Sequence, residues 1–252
     1  MHREERRGVT RTALITGGSR GIGAAAARGL ASDGCAVVIQ YYASGEEAER
    51  VAADCRRWGV RAETVYADVR DADSLMALKT RTAEWGLSPD ILVHSAGTAF
   101  YGLLEDSGEE VWDDLMGVHL KAAYRLTRLF APDMRWRRWG RIVYLSSIWG
   151  VVGASGEAAY AAAKGGLNAF AKSMARELAS SGVTVNAVAP GAVETDMLAG
   201  LEEAERASIR SEIPLGRLGK PQEVADLIRF LASEGAGYMT GQVVGINGGW
   251  SA

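Results

Sequence analysis

Seven short runs of apolar and β-branched residues punctuate the chain, at 12–16, 36–41, 62–66, 91–94, 141–146, 183–188 and 243–246. Each has the length and composition of a strand. Helical periodicity fills the gaps between them, so strand and helix alternate from one end to the other. Alternation of this kind predicts an α/β fold, a doubly wound parallel sheet with helices on both faces, and it places ligands beyond the carboxyl ends of the strands. No linker, low-complexity tract or internal repeat interrupts the pattern.

Length fits that picture, because 252 residues with 48% hydrophobic content supply a sizeable core, and α/β folds of this size commonly form one domain. A flexible tail at 1–10 and one domain over 11–252 are expected. No apolar run approaches the roughly 18 residues that span a bilayer, and the opening MHREERRG is too polar for a signal peptide, so a cytoplasmic protein without membrane contact is expected. A net charge of −3 gives no global attraction for nucleic acid. Cys35 and Cys55, only two, read as buried free thiols rather than a disulfide or metal site.

Candidate chemistry appears first in TALITGGSRGIGAAAARGL, where Gly17, Gly21 and Gly23 lie between a strand and an alanine-rich helix. Glycines there let the backbone turn and approach a pyrophosphate, whose charge is met by helix N-terminal amides. The spacing is G-x-x-x-G-x-G rather than the commoner G-x-G-x-x-G. A second candidate is AAYAAAKGG, with Tyr160 and Lys164 one helical turn apart if 160–172 is helical. An ammonium beside a phenol favours the phenolate, so Lys164 is expected to bring Tyr160, ordinarily near 10, toward the range of efficient acid–base work. Ser146 and Ser147, ending the run RIVYLSS, offer a hydroxyl to the same substrate oxygen. The tyrosine–lysine spacing taken alone also describes an ordinary surface pair.

Taken together, TGGSRGIG, the serine pair and YAAAK, in this order, resemble the short-chain dehydrogenases/reductases, and the likeness runs from about Arg11 to Ser251. Asp68-Val69, VNAVAPGAVETDM, PLGRLGKPQEVA and GQVVGINGGWS belong to the same likeness. The resemblance implies a seven-stranded Rossmann sheet in the order 3-2-1-4-5-6-7, and its serine-to-tyrosine spacing selects Ser147 over Ser146. It implies hydride transfer with Ser147 holding the carbonyl oxygen, Tyr160 as proton donor and Lys164 beside it. Nicotinamide coenzyme would lie along Gly17, Ser19, Arg20, Gly21, Ile22 and Gly23, with Asp68 and Val69 at the adenine and Ala96 and Gly97 at a close approach. Pro190, Gly191, Val193 and Thr195 would reach the nicotinamide, and 196–212 would form a lid over the substrate.

Which coenzyme is used turns on the second strand. An acidic residue some twenty positions past the glycines binds the NAD ribose; Tyr41 stands there instead, and Arg20 is placed to pair with a 2′-phosphate, so NADP is expected in preference to NAD. Two departures from the family pattern concern asparagines. His94 occupies HSAG where N-N-A-G is usual, and reads as a satisfied structural group. His119, in LMGVHLKAAY, replaces the asparagine that kinks its helix and links the lysine to solvent; a histidine there either continues the proton relay or interrupts it.

Among branches of the family, the run 160–197 reads closest to 3-oxoacyl-[acyl-carrier-protein] reductases, implying reduction of a 3-oxoacyl thioester in fatty-acid or polyketide chemistry. The alternatives are a reductase or dehydrogenase of a small alcohol, sugar or cyclic ketone, and a coenzyme-binding partner subunit with little turnover. The basic, tryptophan-bearing stretch LTRLFAPDMRWRRWGRIV reads as a solvated helix end, with stacking on nucleic acid or docking of an acidic carrier protein as other uses. Ser181 stands where many carrier-protein reductases of this family have arginine. Trp149 is a candidate pocket residue. Helices from near Glu109 and Ser155 resemble those that pair subunits, implying a homotetramer or homodimer.

Overall fold

In the computed structural model, which describes residues 10–198, 200 and 202–251, seven parallel strands form one sheet in the order β3-β2-β1-β4-β5-β6-β7. The strands are β1 (Thr12–Thr16), β2 (Ala36–Tyr41), β3 (Ala62–Tyr66), β4 (Ile91–His94), β5 (Gly140–Leu145), β6 (Val183–Pro190) and β7 (Val243–Ile246). The expected tail at 1–10 lies, but for Thr10, outside the described residues. The helices, in chain order, are α1 (Gly21–Ser32), α2 (Gly45–Arg56), α3 (Ala72–Glu84), α4 (Glu109–Leu115), α5 (Ala122–Arg137), α6 (Trp149–Val152), α7 (Ala158–Leu178), α8 (Glu203–Glu212) and α9 (Pro221–Ala232).

The inner strands β1, β2, β4, β5 and β6 are buried almost without break because both faces of the sheet are covered there, whereas the edge strands β3 and β7 are only partly buried. Ala13, Ile15, Val37 and Ile39 point into one core, shared with α1, α2 and α9; Leu14 and Val38, one residue out of step, point into the other, shared with α3, α5 and α7. That is the two-residue period of a strand. The alanines 24–27 of α1 are all buried, and small side chains let that helix lie close to the sheet.

Three strand ends differ from expectation, β5 closing at Leu145 rather than at Ser146. β5 starts at Gly140, one residue early, through its pairing with Val183. β6 runs two residues further, because Ala189 and Pro190 pair with Gly245 and Ile246 of the edge strand. Helix α7 begins at Ala158 rather than near Ser155, since Gly156 takes a φ of 77° and its carbonyl accepts a bond from Gly102 N–H. Between α4 and α5 the chain widens into a π-helical turn over Met116–Lys121, the kind of bulge that gathers at functional sites. His119 sits in it.

The basic stretch before β5 is not a simply solvated end. Trp139 is buried between the guanidiniums of Arg11 and Arg141, 3.8 and 4.4 Å from its ring centroid, and its indole N–H donates to Glu234. Arg137 pairs with Asp90 at 3.1 Å and Arg138 donates to the Ser180 carbonyl. These arginines fasten the amino ends of the strands, while Trp136 is 89% exposed. Cys35 and Cys55 are free and buried, and burial pushes both thiols up to about 11. Among the described residues no helix is long and apolar enough to cross a membrane.

Candidate active site

The loops after β1, β4, β5 and β6 meet at the carboxyl edge of the sheet. Thr16 Oγ1, at the end of β1, accepts from the N–H groups of Ser95 and Ala96 beyond β4. Gly17 (φ 62°) lies so near that loop that a β-carbon would sit 2.7 Å from Ala96 Cα. A β-carbon at Gly23 would run into the Gly17 carbonyl, and one at Gly21 would come 3.3 Å from Thr195 Cγ2. Ile148 N–H donates to Pro190 O across β5 and β6, and Gly191 N–H to Ile246 O.

This cradle fits a dinucleotide. Helix α1 has no side-chain cap and no acidic residue in its first turn, so the partial positive charge of its amides is not met from within the chain. By contrast, α3 opens on Asp71, whose carboxylate accepts from Ser74 N–H. Asp68 does not supply that cap. Asp68 instead takes two bonds from the Arg70 guanidinium and one from its N–H, which hold its carboxyl below the usual range, and Arg70 also reaches Asp114. Val69 is buried, leaving only its backbone for a ligand.

Other coenzyme candidates are placed differently from one another. Arg20 is turned to Asp196 at the start of the expected lid, Nη1 to Oδ2 3.2 Å, both side chains more than half exposed. Tyr41 packs against Gly45 and edge-on to Tyr66, centroids 6.1 Å apart. Its neighbour Tyr42 stacks on Tyr66 at 6.0 Å with the Arg70 guanidinium 5.2 Å from its ring. Sequence reasoning missed Tyr42, Tyr66 and Arg70; three aromatics at the ends of adjacent strands were the available signal.

The catalytic candidates converge beyond β5. Tyr160 and Lys164 lie on one face of α7, with the ammonium nitrogen 5.3 Å from the phenol ring centroid. Lys164 Nζ donates to the Leu145 carbonyl at 2.7 Å. The Ser147 hydroxyl oxygen accepts from Trp149 N–H at 3.2 Å, and the Ser147 side chain draws the Tyr160 pKa down. Ser146 turns away, toward the Lys164 carbonyl. Trp149 is half-buried, its ring 5.0 Å from that of Trp250.

One expectation about this group is not met. Burial, reinforced by Glu157, pushes the Tyr160 phenol up to about 12, and only the Ser147 bond opposes it. Lys164 does not pull it down, because burial drives the lysine itself to about 7, so the amine is already neutral in the range where the phenol titrates.

Both histidines are buried. His94 Nδ1 bonds Thr16 Oγ1 at 2.9 Å, and its Nε2 faces the carbonyls of Val118 and His119, each at 3.1 Å. It ties β1, β4 and the π-turn together, and burial lowers its pKa to about 4. His119 meets the Tyr160 ring edge-to-face, centroids 5.2 Å apart at 88°. Its Nε2 bonds the Thr98 carbonyl at 2.8 Å, which fixes the proton on that nitrogen and leaves Nδ1 a buried acceptor with no partner. Burial, then the Lys164 charge, holds its pKa well below the usual histidine value.

Comparison with known proteins agrees with this geometry. The enoyl-(acyl carrier protein) reductase family model matches residues 17–251. The 3-oxoacyl-[acyl-carrier-protein] reductase FabG of Staphylococcus aureus is 41% identical over 242 residues, 96% of this chain and 98% of that protein. That of Escherichia coli is 42% identical over 238 residues, 94% and 96%. An uncharacterized oxidoreductase of Bacillus subtilis, YmfI, is 41% identical over 243 residues, 96% and 99%. The solved structure of a candidate gluconate dehydrogenase from Agrobacterium tumefaciens superposes with a TM-score of 0.92 at 33% identity, covering 96% of each chain. The chain belongs to the short-chain dehydrogenase/reductase family. It is an oxidoreductase built on that family's Rossmann sheet.

Proposed function

We propose that this protein uses NADPH to reduce a ketone, a 3-oxoacyl thioester presented by an acyl carrier protein, to the 3-hydroxy product, as in fatty-acid or polyketide synthesis. The observation that carries the reading is the convergence of Ser147, Tyr160 and Lys164 beside the glycine cradle. The bound coenzyme supplies the hydride. Ser147 holds the substrate oxygen by its hydroxyl, and Tyr160 passes its phenolic proton to that oxygen as charge develops there. Lys164, anchored on the Leu145 carbonyl, would hold the coenzyme's ribose and return the proton; His119, its Nδ1 without a partner, packs edge-to-face on the Tyr160 ring.

NADP rather than NAD is favoured because β2 ends in Tyr41, followed by Tyr42, with no carboxylate to repel a 2′-phosphate. The exposed Arg20–Asp196 pair is worth at most about 1 kcal/mol, so a dianionic phosphate displaces Asp196 readily. Gly17, Ser19, Gly21, Ile22 and Gly23 would hold the pyrophosphate, and Val193 and Thr195 the nicotinamide. Exposed Leu103, Leu104, Val151, Val152, Met197 and Leu215 all follow carboxyl ends of strands and suit an acyl chain passing under a lid at 196–212. The identity to FabG reductases supports the carrier-bound substrate. The likeness to a candidate gluconate dehydrogenase keeps a polyol or sugar ketone as the second reading. Exposed Trp112 and Tyr124, on α4 and α5, favour a homotetramer, and reduced cysteines favour the cytoplasm. Consumption of NADPH with acetoacetyl-N-acetylcysteamine tests the first reading. Turnover of sugars or cyclic ketones with no thioester reduction points to the second.

A further inference from the structure

Arg70, two residues past Asp68, is held from several elements at once. Its Nε donates to Asp68 Oδ1 at 3.0 Å and its Nη2 to Asp68 Oδ2 at 2.9 Å, the side-on fork with which arginine grips a carboxylate. Its own N–H adds a third bond, to Oδ1 at 2.9 Å. Nη1 reaches across to Asp114 on α4, and the Arg70 carbonyl accepts from the Arg125 guanidinium of α5. The stem lies against Gly117 of the π-turn, where a β-carbon would stand 3.6 Å from its Cγ, and the Asp68 N–H is tied to Ser74 Oγ at 2.9 Å. A carboxylate offers about four acceptor directions. Three on Asp68 are taken, and the one left belongs to Oδ2. The side chain keeps 24% of its surface exposed, so a ligand can reach it.

From this arrangement we infer that Arg70 is a positioning residue for the coenzyme: by fixing the Asp68 carboxylate with one acceptor direction free, it makes the site select an adenine over a 6-oxopurine. Adenine presents an amino donor at its 6-position beside an acceptor ring nitrogen, and a fixed carboxylate followed by the Val69 amide is the complement of that edge. Hypoxanthine reverses both groups. It sets a carbonyl against the carboxylate and an N–H against the amide. The inference rests on the reading of Asp68 and Val69 as the adenine contacts. Arg70 acts only through Asp68; without its fork the carboxylate is free to turn, and binding then has to order it. Lysine does not replace it, because an ammonium is a point charge and cannot hold both oxygens in one plane.

NADP⁺ and nicotinamide hypoxanthine dinucleotide phosphate are a matched pair that differ only at that edge of the purine. Their dissociation constants are measured by calorimetry without any ketone, so the result does not depend on which substrate is reduced; NAD⁺ and its hypoxanthine analogue, run alongside, make it independent of the 2′-phosphate. The parent is expected to bind the adenine form about tenfold or more tightly, the order set by leaving a charged acceptor unmatched, and Arg70→Met to bring the ratio near unity. Should Arg70→Met not fold, Arg70→Lys, which keeps the charge between Asp68 and Asp114, is expected to lower the ratio severalfold. A staple that only fastened the loop to α4 and α5 would weaken both coenzymes alike and leave their ratio unchanged. That outcome overturns the inference alone. Equal affinities in the parent overturn it together with the adenine reading of Asp68, and a parent that binds none of the four dinucleotides overturns the reductase reading as well.

Discussion

Gly97 faces the imidazole of His119 so closely that a β-carbon on the glycine would lie 3.0 Å from Nδ1 and nearer still to Cε1. The His119 ring is pinned by Thr98 on one side and by Tyr160 on another, so it has no easy way to yield. Gly97→Ala is expected to cost about 1–3 kcal/mol, the usual penalty of overpacking, and His119→Asn in the same chain should recover most of it. Urea unfolding of the two single variants and the double variant measures the coupling. Alone, His119→Asn should retain activity and alter the pH profile of kcat; an unchanged profile would remove His119 from the relay.

His94 makes stability fall on acidification. Its folded pKa is about 4 against roughly 6.5 unfolded. Between those values the unfolded chain takes up a proton that the folded one refuses, so stability rises with pH through that window and is lost as pH falls from 6.5 toward 4. The side chain is 1% exposed, and the shift corresponds to roughly 3 kcal/mol. Thermal melts of His94→Asn should show a shallower decline over this window than the parent. Equal slopes would mean that some other group carries the acid sensitivity.

Arg20 and Asp196 join the glycine loop to the segment after β6. Arg20→Ala should raise KM for NADPH about tenfold, the order expected from losing a charge-assisted phosphate contact, with little change for NADH. Asp196→Asn should lower KM for NADPH slightly, since it removes the competitor. Initial-rate measurements with both coenzymes check this; equal effects of Arg20→Ala on the two would dispose of the NADP assignment.

How much of this was legible in the chain varied with the physics involved. Strands buried on both faces write themselves as apolar runs, and the bounds of β1, β2 and β4 were readable for that reason; those of β3 and β7, only partly buried, were readable from their β-branched and aromatic residues. The two extra residues of β6 were not, because they owe their strand geometry to Gly245 and Ile246, over fifty residues away. The π-turn around His119 has no local signature in MGVHLK. It is held from outside, by His94 Nε2 on the Val118 and His119 carbonyls. Tyr160 and Lys164 were visible as a spacing. Their protonation was misread because the burial of Lys164, which lowers its own pKa to about 7, is a property of the assembled fold.

The central claim is that the Tyr160 phenol delivers the proton to a carbonyl reduced in this crevice. The rate of NADPH consumption with acetoacetyl-N-acetylcysteamine, compared between the parent and Tyr160→Phe at matched coenzyme saturation, tests it most directly. A loss of about 10²–10⁴-fold in kcat, with coenzyme affinity kept, is the expected result. A Tyr160→Phe protein that turns over at the parent's rate would contradict it.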